Sequence, residues 1–393
     1  MQNHHGRKHA YLSASGSSRW LNCTASPELE SSYPDKSSTY ADEGTLAHEL
    51  SEITLQNELG IIKPYEFNRA RHVIQQNELY SAEMPNQVAK YVDIVLERVN
   101  ELRSEHGDKV HISIEERLDF SEYVPGGFGT GDVVIVYPGG IDVIDLKYGK
   151  GVPVYAEENS QLKLYGLGAL AKYGLYTEIE VVNLHVLQPR LDSFSSWSLH
   201  RNELVLWGNV EVKPIAETAA ANKGETVPGD WCRWCRAKAT CKALADRHLE
   251  LARFEFADPK TLTDDEILEV YGKLDLLNTW TDAVKKYVYE KAINGYDWEG
   301  YKLVAGRSNR KWSNPDEVIK VLRKLGFHKA DYTNEKIKGI QDISNLMSLD
   351  DYEEHLQPLI VKPEGKPTLV DVTDKRPAIN DAAADFGDEN DLI

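Results

Sequence analysis

The stretch Gly129–Gly151, GTGDVVIVYPGGIDVIDLKYGKG, decides how the chain is read. Two runs of β-branched residues flank Pro138-Gly139-Gly140, and this punctuation predicts a hairpin. Its strands carry Asp132, Asp145 and Lys147 where an apolar strand would be dry. Folding about the turn sets Asp132 roughly across from Leu146, beside Asp145 and Lys147. The latter two are two residues apart and project to one face, with Ile141 and Val143. Carboxylates brought this close repel, and burying them is costly unless a cation lies between them. Such oxygen donors suit Mg²⁺ or Mn²⁺, ions that activate water and stabilise phosphoryl charge. Lys147 would orient the water or neutralise the developing charge. Taken alone, D-x-K also describes an ordinary surface ion pair.

Upstream, Ser13 and Ser15 are N-cap choices for a short helix ending near Cys23. Asp42–Gln56 reads as a second helix. From Pro85 onward Val88, Tyr91, Val92, Val95, Leu96, Val99 and Leu102 follow helical spacing. KVHISIEERLDF alternates as a strand, with Val110, Ile112, Ile114 and Glu116 on one face. That places Glu116 either beside the metal site or, as a strand-end residue, in solvent. Downstream come an apolar helix (QLKLYGLGALAKYGL), a strand within EIEVVNLHVLQPR, and a helix leading to the cysteines. The order of helices, three strands, helix, strand and helix predicts a mixed α/β core.

The chain has 393 residues and a net charge of -18, which argues against a protein that coats nucleic acid but leaves room for a local basic groove. No apolar run is long enough for a membrane span, and MQNHHGRKHAYLS lacks a signal core, so a cytoplasmic protein is expected. Residues 1–250 read as the main domain. Residues 251–362 read as a helical and basic accessory region, opened by a Thr263/Glu266 capping box and interrupted at Asn294-Gly295. Within it Arg307, Arg310, Lys311, Lys320, Arg323 and Lys324 offer phosphate contacts or simply a solvated face; Arg190 is a further candidate phosphate ligand. Residues 363–393 read as a flexible acidic tail.

WCRWCRAKATC gives C-x₂-C-x₅-C from Cys232, Cys235 and Cys241, with Cys23 far upstream. In a reducing compartment such a set binds metal, either structural Zn²⁺ or an iron-sulfur cluster, and spacing alone does not separate the two. A metal joining Cys23 to Cys232 would close a very long loop and contribute folding energy. Trp231 and Trp234 are expected to pack around it.

Gly131-Asp132 followed by Asp145-Leu146-Lys147 resembles the PD-(D/E)xK nuclease superfamily in its RecB-like branch. Gly44-Thr45-Leu46-Ala47-His48 fits that branch's upstream G-x-x-x-H, and Gln161-Leu162-Lys163-Leu164-Tyr165 its Q-x-x-x-Y. No proline precedes Asp132, and the third-motif acid is Asp. The resemblance implies a restriction-endonuclease-like core, a mixed central sheet flanked by helices. It implies His48, Asp132, Asp145 and the Leu146 carbonyl as ligands of Mg²⁺ or Mn²⁺, and Lys147 as the catalytic lysine. Gln161 and Tyr165, one helical turn apart, would position that lysine or the DNA strand. The cysteine arrangement, with LSASGSSRWLNC around Cys23, resembles the nuclease domain of AddB and the CRISPR-associated four-cysteine exonucleases. There a 4Fe-4S cluster staples the ends of the domain. The expectation is therefore a metal-dependent deoxyribonuclease, first an exonuclease on linear DNA; the whole chain also resembles a phage-associated family with this nuclease core, which implies a place in phage replication or recombination within the bacterial host cytosol. DNA is the expected partner, and the sequence leaves open whether an ssDNA-binding protein or a helicase cooperates. The alternatives are a catalytically silent DNA-binding or scaffold subunit, and a zinc-stapled regulator.

Overall fold

The computed structural model of the chain describes residues 10–34, 38–251, 263–299 and 301. Arg307, Arg310, Lys311, Lys320, Arg323, Lys324 and the acidic tail lie outside the described residues. The described residues up to 251, with 275–299 and 301, belong to one compact unit, and 263–274 belong to another.

The N-terminal segment forms α1 (Ser17–Trp20), α2 (Ser26–Ser31), α3 (Thr39–Glu58), α4 (Pro64–Gln75) and α5 (Met84–His106). Then follow β1 (His111–Asp119), β2 (Phe128–Tyr137), β3 (Gly139–Leu146), α6 (Ser160–Tyr173), β4 (Ile179–Gln188) and β5 (Ser193–His200). Helices α7 (Arg201–Trp207), α8 (Lys213–Ala220), α9 (Lys242–Leu251) and α10 (Asp264–Ile293) complete the described elements. The strands form one sheet in the order β1-β2-β3-β4-β5. Neighbours are antiparallel except β3 and β4, which run parallel and are joined through α6.

The hairpin forms with a tighter turn than Pro138-Gly139-Gly140. Tyr137 pairs with Gly140, so Pro138-Gly139 alone makes the loop, and Gly139 takes φ +90°, which a side chain would strain. Val133 faces Ile144. Continued by one residue, that register sets Asp132 against Asp145 rather than Leu146.

Two cores hold the sheet. On one side α6 buries Leu162, Leu164 and Leu167 against Val134, Val143, Val182 and Leu184. On the other, Leu46, Ala47 and Leu50 of α3 join Val88, Val92, Val95 and Val99 of α5 against Val133, Ile135, Ile144 and Leu146. Each large aliphatic side chain fully buried here contributes about 1.5–3 kcal/mol. Helix α3 starts earlier than Asp42 because Ser38 caps it, its hydroxyl accepting from the Ala41 amide at 3.2 Å. The capping box before α10 also forms, with Thr263 N donating to Glu266 Oε2 at 2.8 Å.

Strand β1 does not alternate throughout. Glu115 takes φ +52°, in the left-handed region. Before it, Ile112 and Ile114 pack towards the α3/α5 core; after it, Leu118 lies in the α6 core. Glu116 turns with Leu118 and pairs with Lys172, while Tyr173 donates to it at 3.4 Å. The expected shared face of Glu116 with Ile112 and Ile114 is thus corrected, because a single left-handed residue reverses the alternation.

Asp142, fully buried on β3, anchors α5 to the sheet. Arg98 Nε donates to it at 2.7 Å, the Tyr137 hydroxyl at 3.0 Å and the Asn183 amide at 2.7 Å, with His185 at 3.6 Å. Burial alone would raise its pKa, but His185, Arg98 and Asn183 bring it down to about 2. A depressed carboxylate stabilises above its unfolded pKa, near 3.8, and that contribution is lost as pH falls through about 2. Urea unfolding should therefore show Asp142→Asn less stable than the parent at pH 5, with the gap narrowing by about 2 kcal/mol towards pH 2. A gap independent of pH would contradict this origin of the shift.

Candidate functional site

The site lies where β2 begins and β3 ends, with α3 on one side and the first turn of α6 on the other. Asp132 on β2 accepts the Leu146 amide at 2.7 Å through Oδ2, and its Oδ1 lies 3.2 Å from His48 Nδ1 on α3. Asp145 is buried and pairs with Lys147 Nζ at 2.8 Å. Asn159 caps α6 by accepting from the amides of Gln161 and Leu162, which fixes the helix start beside the lysine. The Gln161 carbonyl accepts from Lys147 at 3.1 Å. Its amide group donates to Asp145 at 3.3 Å and to the Tyr165 hydroxyl at 3.1 Å. Gly129 makes room for that tyrosine: a Cβ there would lie 2.6 Å from the Tyr165 ring.

Glu115 completes the group, and the motif reading missed it. Its carboxylate, that of Asp132 and a His48 ring nitrogen all lie within 4.8 Å of one another. Ligands of an octahedral ion bound at about 2.1 Å are about 3–4.2 Å apart, so small side-chain adjustments bring these three to a common ion. The sequence signal was the Glu115-Glu116 pair opposite Gly131-Asp132, but strict alternation selects the wrong member. The left-handed backbone at Glu115 is local strain of the kind found at functional sites.

Three carboxylates meet two cationic side chains here. Burial, then the charge of Asp132, pushes Glu115 up to about 7. Burial also raises Asp145, partly offset by Lys147. Burial works against a charged His48, but the charge and hydrogen bond of Asp132, together with Asp145, push it up to about 9. Lys147 likewise stays above the ordinary lysine range despite burial, because of Asp145 and Asp132. With all three carboxylates ionised the site carries one negative charge more than His48 and Lys147 neutralise; His48, Glu115 and Asp132 could hold a divalent cation there, with Asp145 beside them.

A pH dependence follows. Glu115 binds its proton more tightly folded than unfolded, so metal-free stability falls as pH rises from about 4.5 to about 7. His48 contributes stability below about 6.5 and loses it as pH rises through about 9. Ligation requires both groups deprotonated, so Mn²⁺ binding should release protons at pH 7 and tighten towards pH 9. Calorimetry in two buffers of different ionisation enthalpy reads this directly. Glu115→Gln should weaken Mn²⁺ at least about tenfold and flatten the pH 5–7 limb of stability.

The cysteines meet at a second place. Cys23, Cys232, Cys235 and Cys241 line one small cavity of about 20 Å³ with Arg19, Val227 and Trp231. The Val227 amide donates to Cys23 Sγ and the Gly229 amide to Cys232 Sγ, each at 3.4 Å. Burial, with Glu30, pushes Cys235 up to about 12, and burial with Cys23 and Cys241 raises Cys232, so thiolates here call for a metal. Among the described residues no three of these sulfurs lie within 4.8 Å of one another. Tetrahedral Zn²⁺ with bonds of about 2.3 Å needs them about 3.8 Å apart. Trp231 donates its indole N–H to the Val227 carbonyl at 2.7 Å, whereas Trp234 is 61% exposed and does not line the cavity.

A family model described as "Protein of unknown function (DUF2800)" matches residues 9–377. The chain belongs to this DUF2800 family. It is also similar to a solved structure titled "Crystal structure of SSO0001", at 16% identity, covering 56% of this chain and 95% of that one, with a TM-score of 0.22. That score is too low to bear on the fold. Both side-chain clusters of this DUF2800 protein fall inside the matched span.

Arg190 does not face solvent as a phosphate ligand. Its guanidinium lies 3.2 Å from Glu43 and 3.6 Å from Glu83, over the Tyr148 ring. Its side chain is only 7% exposed, so it ties α3 to the segment before α5 instead. The expectation of a phosphate contact there is corrected: two carboxylates from distant parts of the chain already use the charge.

Proposed function

We propose that this DUF2800 protein is a metal-dependent phosphodiesterase acting on DNA, of the PD-(D/E)xK type, with a cysteine-held cluster that staples its domain. The observation that carries this reading is the meeting of His48, Glu115, Asp132, Asp145 and Lys147 at the end of β3. A divalent ion bound there would lower the pKa of water and stabilise charge on a phosphoryl oxygen. The chain's own residues supply the rest. Asp132 and Asp145 are held by the Leu146 amide and by Gln161, so their oxygens are placed before substrate arrives. Lys147 Nζ, gripped by Asp145 and Gln161, stays charged and can align the attacking water and offset developing charge. Tyr165 holds the Gln161 amide in the orientation that accepts from Lys147.

For the cysteines, the resemblance of Cys23 plus the C-x₂-C-x₅-C group to the four-cysteine nucleases supports an iron-sulfur cluster, with a single structural Zn²⁺ as the alternative. When bound, the cluster supplies cross-linking between Cys23 and the Cys232–Cys241 segment.

The test is cleavage of end-labelled single- and double-stranded DNA by anaerobically purified protein with Mg²⁺ or Mn²⁺. Metal-dependent product, in a pattern set by the labelled end, is expected of an exonuclease. Folded, cluster-loaded protein that binds DNA without cutting it would instead favour the silent DNA-binding subunit.

A further inference from the structure

Tyr91 has no place in the mechanism so far, yet its position in the fold ties it to the site. It stands on α5, is 1% exposed, and its hydroxyl finds no hydrogen-bond partner among the described residues. It belongs to the core that also contains Leu46 and Ala47 next to His48, Val133 next to Asp132, and Ile144 and Leu146 on either side of Asp145. Residues flanking His48, Asp132 and Asp145 therefore belong to the same core cluster as the Tyr91 ring. Buried hydroxyls are nearly always paired, and an orphan beneath a charged site marks an ordered water or an ion's surroundings.

We infer that Tyr91 is a positioning residue for the divalent ion, donating its hydroxyl proton to an ordered water held under Asp132, Asp145 and Glu115. This rests on the proposed metal site. Burial, followed by the charges of Asp132, Asp145 and Glu115, keeps the phenol well above the ordinary tyrosine range. It therefore remains a donor and does not add a further negative charge. Groups that orient metal ligands in this way typically account for about 10–100-fold in affinity or activity.

Tyr91→Phe keeps the ring and its packing and removes only the hydroxyl. Mn²⁺ affinity of the full-length, cluster-loaded protein, read by calorimetry, should fall about tenfold. The metal-free thermal midpoint should hold, because the ring and its packing are kept and the hydroxyl makes no hydrogen bond to the described residues. With DNA, kcat should fall while KM is unchanged. Unchanged Mn²⁺ affinity with an unchanged or higher midpoint would overturn the inference and leave Tyr91 as core packing alone. Tighter Mn²⁺ binding by wild type than by the variant, without cleavage by either, would uphold Tyr91 and count against the nuclease reading. Failure of wild type to bind Mn²⁺ would overturn both.

Discussion

Lys147→Ala is expected to lower metal-dependent DNA cleavage by at least about 100-fold, the scale of removing one preorganised charge or donor from a reaction centre. The lysine is held between Asp145 at 2.8 Å and Gln161 at 3.1 Å, so its ammonium has little freedom to reorganise during the reaction. Its loss also leaves Asp145 buried without its cation, a defect costing about 3–5 kcal/mol in metal-free protein. Saturating Mn²⁺ should recover part of that stability without recovering the rate. Single-turnover kinetics and thermal melts, each with and without Mn²⁺, separate the two effects. Full activity in the variant would show that the chemistry resides elsewhere.

Cys23→Ser should have the largest effect on stability. Cys23 meets Cys232, Cys235 and Cys241 at one cavity although the chain between them includes the whole sheet. Loss of a metal cross-link over so long a loop should cost on the order of 5 kcal/mol, or about 10–20 °C in thermal midpoint. Bound iron and sulfide should fall together with the midpoint. Cys232→Ser should reproduce the result, because both substitutions open the same staple. Stoichiometric zinc with no iron in anaerobically purified wild type would overturn the cluster, though not the staple. A wild-type midpoint in both variants would overturn the staple itself.

Much of the site was legible because its residues lie on regular elements. The Gly-rich turn sets the hairpin, and D-x-K places Asp145 and Lys147 on one face. Helical spacing puts Gln161 one turn before Tyr165, and their hydrogen bond follows from it. Other features depended on geometry that a residue pattern does not carry. Glu115 enters the site, and Glu116 leaves it, because one residue adopts a left-handed backbone. Arg190 looked like a free cation after a strand; Glu43 and Glu83, which neutralise it, come from other parts of the chain. Strand β5 escaped notice because SFSSWSLH alternates serine with few apolar residues, as suits a sheet edge with Phe194 exposed. Helix α4 escaped too, since PYEFNRARHVIQ fully buries only Ile74.

The most direct measurement of the central claim is the anomalous scattering of Mn²⁺ in crystals of the wild-type protein. The expected map has its strongest manganese peak bounded by His48, Glu115, Asp132 and Asp145, with Lys147 outside the ion's ligands. No manganese peak at saturating Mn²⁺, or one bound elsewhere with these four side chains unengaged, would contradict it.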